Sequence, residues 1–194
     1  MEALLKNDPE NVSLLATAAE GFCGYAFMFI EDENPVRASA FYRRGETYAL
    51  RALKTRGLYD GSAIALDKAS AKDVPPIFWT AFCKASYIQL NLSEPDAIAE
   101  LPAVEALASK SLALNPGYYY GGAHALLGAY YASRPKMLGG NLEKAKTFFD
   151  KSLEGVNGAF LANKYEYAKT YAAQALDEAL FETLLGDIAA APEN

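Results

Sequence analysis

The single histidine and five of the 13 tyrosines of this chain lie within residues 115–140, NPGYYYGGAHALLGAYYASRPKMLGG. An imidazole among phenol hydroxyls is the material of proton transfer, and an imidazole beside thiols or carboxylates is the material of a zinc site. Neither pattern is completed. His124 has no second histidine, and no cysteine or carboxylate at ligand spacing. No serine or cysteine stands in a motif that would share a catalytic pair with it. Two cations, Arg134 and Lys136, flank the loop SRPKMLGGN and, with the tyrosines, would suit a carboxylate; the competing reading is that both are solvated loop charges. The acids are dispersed, with Glu31, Asp32 and Glu33 closing one helix and Glu178, Glu182 and Asp187 on another, and no isolated pair in apolar surroundings argues for acid–base work. These residues imply no catalytic centre, no metal and no cofactor, so the tyrosine-rich stretch reads as a surface.

Helical spacing sorts that surface. Tyr120, His124, Leu127 and Tyr131 share one stripe, and Tyr119 and Tyr130 lie on the next. A packed helix needs an apolar arc of about 100°, and two stripes of large rings cover more, as suits a protein interface or a groove for a ligand with apolar and polar parts. Gly121-Gly122 inside a helix costs about 1 kcal/mol per residue relative to alanine, which implies a close neighbour. Tyr165, Tyr167 and Tyr171 extend the tyrosine character onto the next helix. Trp79, with Phe82, Cys83, Ser86, Tyr87 and Leu90, reads first as core and second as part of a binding surface.

The elements that position these residues are helices. Half-buried strands would alternate apolar and polar residues, and no run does. Asn7 and Asp8 before Pro9, Asn34 before Pro35 and Asn115 before Pro116 look like helix starts. Helices are expected from about Pro9 to Glu31, Pro35 to Arg56, Pro76 to Leu92, Pro95 to Leu114, Tyr118 to Ser133, Leu142 to Leu153, Phe160 to Ala173 and Asp177 to Ala190. An irregular connection over about 57–75 has room for one short helix. The fold class is all-α, a single helical-repeat domain over 1–194 of stacked antiparallel hairpins, a tetratricopeptide-like α-solenoid. The best repeat unit is 116–157. There His124, Leu127, Gly128 and Tyr131 match W-x2-L-G-x2-Y except at the first position, and Ala145, Phe149 and Ser152 follow. A weaker copy pairs Gly21 with Ala38, and intervals run from Pro76 to Pro116 and from Pro116 to Gly158.

A net charge of −6 with no basic run argues against nucleic acid as a partner. The start, MEALLKNDPE, lacks the cationic and apolar runs of a signal peptide. No stretch approaches the roughly 20 apolar residues that span a bilayer. Cys23 and Cys83 each sit in an apolar helical pattern and are expected as buried free thiols, since a disulfide requires a Cα separation below about 7 Å that sequence cannot supply.

The stretch NPGYYYGGAHALLGAYYASRPKMLGGNLEKAKTFFDKSLE, followed by YEYAKTYAAQALDEALFETLLGDI, resembles the T component associated with tripartite ATP-independent periplasmic (TRAP) transporters. The resemblance rests on Gly121-Gly122, Leu127-Gly128, Pro135 with Gly139-Gly140-Asn141, Ala145, Phe149, Tyr167, Tyr171, Asp177, Phe181 and Leu184-Leu185. It implies a non-enzymatic periplasmic accessory lipoprotein, lipid-anchored in its full-length form. It also implies a homotrimer in which each subunit pairs with a TRAP solute-binding protein and aids uptake of a small organic solute. On that reading the partner or ligand surface takes in Trp79, Tyr119, Tyr120, Gly121, Gly122, His124, Tyr131, Arg134, Lys136 and Tyr167. The alternative is a tetratricopeptide-type scaffold that clamps a peptide. A third class, a hydrolase using tyrosine, histidine and a carboxylate, lacks the pairing such chemistry needs.

Overall fold

In the computed structural model, residues 1–154 and 159–192 are described. Gly158, which closes the last repeat interval, and residues 155–157 of the best repeat unit lie outside them. Among the described residues every regular element is helical, as the periodicity requires, and they form two compact units, 1–115 and 116–194.

The first unit holds α1 (Glu2–Leu5), α2 (Val12–Phe29), α3 (Pro35–Thr55), α4 (Val74–Leu90), α5 (Pro95–Ala99) and α6 (Leu101–Leu114). α2 packs on α3, α3 on α4, and α4 on α6. α3 starts where Asn34-Pro35 places it: Asn34 Oδ1 accepts from the Arg37 N–H at 3.0 Å, and proline sits in the first turn. α2 starts later than Pro9. Asp8 is engaged with the Asn11 side-chain amide, and Asn11 Oδ1 caps the Leu14 N–H at 3.0 Å. The expected helix from Pro95 to Leu114 is broken at Glu100, because Pro102 opens α6 and lacks an N–H to continue the preceding turn. The connection over 57–75 holds two 3₁₀ turns, Leu66–Lys68 and Ala71–Asp73, rather than one helix.

The cysteines are not free thiols. Cys23 on α2 and Cys83 on α4 form a disulfide with a Cα separation of 5.6 Å, closing a span of 60 residues. Gly45 on α3 makes this possible: a Cβ there would lie 2.2 Å from Cys23 Sγ and 3.1 Å from both Cys83 Sγ and the Ala19 carbonyl. Sequence patterning places each cysteine on a buried face, but it does not show that a third helix has been cut back to glycine between them.

Gly21, paired with Ala38 in the weaker repeat copy, has nothing within 4 Å of where a Cβ would stand, and the close approach of α2 and α3 is at Gly45 instead. α2 also exceeds the apolar length expected of any segment here. Its 18 residues average 1.4 in hydropathy, enough by length and composition to cross a membrane. Here it is a packed helix of the first unit, with Leu15, Ala19, Cys23 and Ala26 fully enclosed. A partly buried ion network ties the same unit together. Lys84 Nζ bridges Glu46 and Glu100, and Arg43 donates to both acids while lying 3.6 Å over the Tyr87 ring.

The second unit holds α7 (Tyr118–Ala132), α8 (Leu142–Glu154) and α9 (Leu161–Glu166). A π-helical stretch (Tyr167–Ala172) then runs into α10 (Ala173–Ala175), followed by α11 (Glu178–Ala189). α7 and α8 form the hairpin that the repeat pattern marks. Gly128 lies against the Phe149 ring, where a Cβ would come within 2.7 Å, and Phe149 stacks on Tyr167 with centroids 4.6 Å apart. Asn141 caps α8 by accepting from the Lys144 N–H at 3.0 Å, and Asp177 caps α11 in the same way.

Candidate functional site

The tyrosine stretch does not continue α7 in regular form. Tyr119 (φ 46°), Tyr120 (φ 57°) and Gly121 (φ 74°) form one left-handed turn, and the right-handed helix proper begins after it. The expected stripes are therefore broken. Tyr119 no longer shares a face with Tyr130, nor Tyr120 with His124. Gly121-Gly122 is buried, as a close neighbour would require, but Gly121 owes this to its backbone as well as to space. Besides its positive φ, a Cβ would stand 3.3 Å from the Ser152 carbonyl oxygen at the end of α8.

Left-handed backbone at a non-glycine residue costs of order 1–2 kcal/mol and persists only where the surroundings over-determine it. Asn163, buried on α9, supplies the restraint. Its Nδ2 donates to the Tyr120 carbonyl at 2.8 Å and to the Ser152 carbonyl at 3.3 Å, tying the turn to the C-terminal end of α8. Phe160 supplies the second restraint, stacking on Tyr120 at 4.5 Å and 17° and meeting Tyr119 edge-on at 5.7 Å. The result is a cluster of Tyr118, Tyr119, Tyr120 and Phe160 in which Tyr120 remains 55% exposed. Sequence reading found the tyrosines but missed Asn163 and Phe160, since an asparagine inside a helix and a phenylalanine at a helix start carry no signal of their own.

The remaining candidates separate. His124 is half-buried beside Phe148 (6.1 Å), and its Nδ1 is enclosed without a hydrogen-bond partner among the described residues. Burial pushes its pKa below the ordinary 6.5; nearby Lys151 acts in the same direction and Glu154 against it. Tyr131 stacks on the same Phe148 at 5.8 Å and 4°, and Lys144 Nζ lies 5.1 Å from the centre of the Tyr131 ring. Arg134 is not a solvated loop charge. It is 8% exposed, its Nε donates to the Tyr130 carbonyl at 2.9 Å, and its guanidinium lies 3.3 Å over the Tyr130 ring. Gly140 lets the loop close against the backbone of the same residue: a Cβ there would overlap the Arg134 carbonyl oxygen at 1.8 Å. Lys136, unlike Arg134, is exposed.

Trp79 and Tyr167 are interior residues, not surface ones. Trp79 packs with Phe78 and Phe82 inside the first unit. Tyr167 is held under Phe149 and donates its hydroxyl to Asp150 at 2.8 Å; burial and that carboxylate push its pKa far up. Among the described residues no three His, Cys, Asp or Glu side chains gather where they could hold a metal ion. What the tyrosine hairpin offers chemically is an aromatic surface held in one conformation.

A sequence model of the family described as TRAP transporter T-component matches residues 1–194. The chain is also similar to an uncharacterized protein of Treponema pallidum (strain Nichols). The two are 28% identical over 176 residues, which cover 77% of this chain and 54% of that protein. The chain thus spans about half the length of the curated relative it matches.

Proposed function

Because the chain belongs to the TRAP transporter T-component family, we propose that it is a non-enzymatic accessory protein of a TRAP transporter, that it binds the transporter's solute-binding protein, and that the Tyr118–Tyr120/Phe160 cluster is a contact surface for that partner. The observation that carries this reading is the exposed Tyr120 ring, stacked on Phe160 by a strained turn that Asn163 holds in place. Aromatic side chains fixed before binding lose little entropy on association, and tyrosine is among the residues that dominate interface energetics. A backbone cost kept at an exposed aromatic is hard to account for by packing alone.

A periplasmic location fits the Cys23–Cys83 disulfide, since such cross-links form and persist in oxidising compartments. The homotrimer, the lipid anchor and any direct contact with a small organic solute are parts of the same proposal.

The test is gel filtration with light scattering on the protein alone and mixed with the TRAP solute-binding protein of the same organism. The expected results are a trimer that takes up about one partner per subunit, and loss of that uptake in Tyr120→Ala with the trimer intact. A protein that ignores every such binding protein refutes the partner, and uptake unchanged in Tyr120→Ala refutes the surface.

A further inference from the structure

α8 keeps one stripe clear of the hairpin core. Ala145, Phe149 and Ser152 are buried, while Lys144, Phe148 and Lys151, at i, i+4 and i+7, share a different face. α7 completes that face with Tyr131 and His124, both half-buried. The five side chains form one row with a cation at each end. Lys144 Nζ lies 5.1 Å from the centre of the Tyr131 ring, and Tyr131 and His124 meet Phe148 at 5.8 and 6.1 Å. Lys151 stands near enough to His124 to reinforce the burial that lowers its pKa; Glu154, exposed beyond it on α8, opposes both. Lys144 and Lys151 are exposed and enter no ion pair among the described residues, whereas Lys146 on the same helix is taken by Asp150.

α11 carries a matching surface. Only Leu184 of this helix is buried. Glu178, Phe181, Glu182 and Leu185, at i, i+3, i+4 and i+7, form one exposed stripe, which is the anchor pattern of an amphipathic helix that docks in a groove. Neither Glu178 nor Glu182 enters an ion pair among the described residues, whereas Asp187, on another face, is held by Lys164. Within its own chain α11 packs on α9 and on the π-helical stretch. Both surfaces therefore stand open in one copy, and they can meet only between copies. Uncommitted cations on one and uncommitted acids on the other are complementary in charge, with apolar side chains between them on both sides.

We propose that the α11 stripe of one copy docks on the Lys144–Phe148–Lys151 row of the next. Glu178 and Glu182 pair with the two lysines, and Phe181 and Leu185 lie against Phe148 and Tyr131. Two different faces meet, so the contact is heterologous, the kind that closes into a ring and the kind a homotrimer requires. The inference rests on the self-association proposed above and assigns it an interface; the Tyr118–Tyr120/Phe160 surface is not part of it.

The test is light scattering after gel filtration, over a dilution series and at low and high salt. The protein is expected as a trimer that dissociates sooner on dilution at high salt, because exposed ion pairs are screened. Lys144→Glu with Lys151→Glu, and separately Glu178→Lys with Glu182→Lys, should each raise the dissociation constant by about tenfold or more, since like charges then face each other. All four substitutions in one chain restore opposite charges across the contact and should restore the trimer. The four positions are exposed, and a melting temperature checks that each variant is folded. A monomeric parent, undiminished assembly in either reversed pair, or no recovery in the fourfold variant overturns the proposal. A monomer that takes up the solute-binding protein and loses it on Lys144→Glu with Lys151→Glu would assign the row to that partner and equally overturn it. A trimer that responds to the substitutions as expected but ignores every solute-binding protein supports this interface and refutes only the partner.

Discussion

Reduction of the Cys23–Cys83 bond is the perturbation whose effect the structure allows to be worked through. The bond closes a span of 60 residues. On the chain-entropy account a loop of that length stabilises the native state by about 4 kcal/mol at 25 °C. That is a large share of the 5–15 kcal/mol typical of a whole domain. With a urea dependence of roughly 2 kcal/mol per M, the unfolding midpoint of the first unit should fall by about 2 M on reduction. Trp79, the sole tryptophan, lies buried among Phe78 and Phe82 in that unit, so its fluorescence reports the transition directly. Gly45→Ala should act through the same place. Its methyl would overlap Cys23 Sγ, so α3 must withdraw or the bond must fail to form, and overpacking adds roughly 1–3 kcal/mol. Thiol titration of the denatured, unreduced protein checks the premise, with no reactive thiol expected. Two thiols per chain, or the same urea midpoint with and without reductant, would refute the reasoning.

Gly121→Ala should destabilise the second unit by about 1–2 kcal/mol through its positive φ alone, with more from the contact with Ser152. Gly186→Ala, on open helix surface, should instead be neutral or stabilising by up to about 1 kcal/mol; calorimetric melting of both variants checks the contrast. Asn163→Ala removes both bonds that hold the left-handed turn and should cost about 1–3 kcal/mol. It should also speed amide exchange at residues 119–122 more than on α11, and uniform exchange would contradict the restraint. His124, being the only histidine, gives one imidazole resonance whose titration midpoint should lie below 6.5. Since a folded state that resists protonation loses stability as the unfolded state begins to bind the proton, the His124 contribution is full above about pH 6.5 and declines as pH falls below it. A midpoint at or above 6.5, or a pH dependence unchanged in His124→Gln, would contradict that assignment.

Much of the fold is legible because helices declare themselves locally. Apolar spacing marks the faces that pack, Asn34-Pro35 and Asp177 mark starts, and Gly128 with Phe149 marks a hairpin through a steric pairing that recurs in repeat proteins. Even the errors of boundary are local, as at Pro102, where one missing N–H divides a helix. The candidate site was legible only by composition. The run of tyrosines before two glycines is visible in sequence, but its left-handed turn is not. That conformation runs against the preference of each tyrosine and is stabilised by Asn163, 43 residues beyond Tyr120 in sequence.

The sequence by itself determined the all-α class, the hairpin of α7 and α8, and the family, because these depend on periodicity and on residues close together along the chain. Tertiary structure alone decided three things. It paired Cys23 with Cys83 across Gly45, it drew Arg134 inward onto Tyr130, and it turned Gly21 toward open space instead of toward a neighbouring helix. Each is a question of what lies a few ångströms from a side chain, and helical periodicity fixes which face a residue occupies without fixing what meets that face.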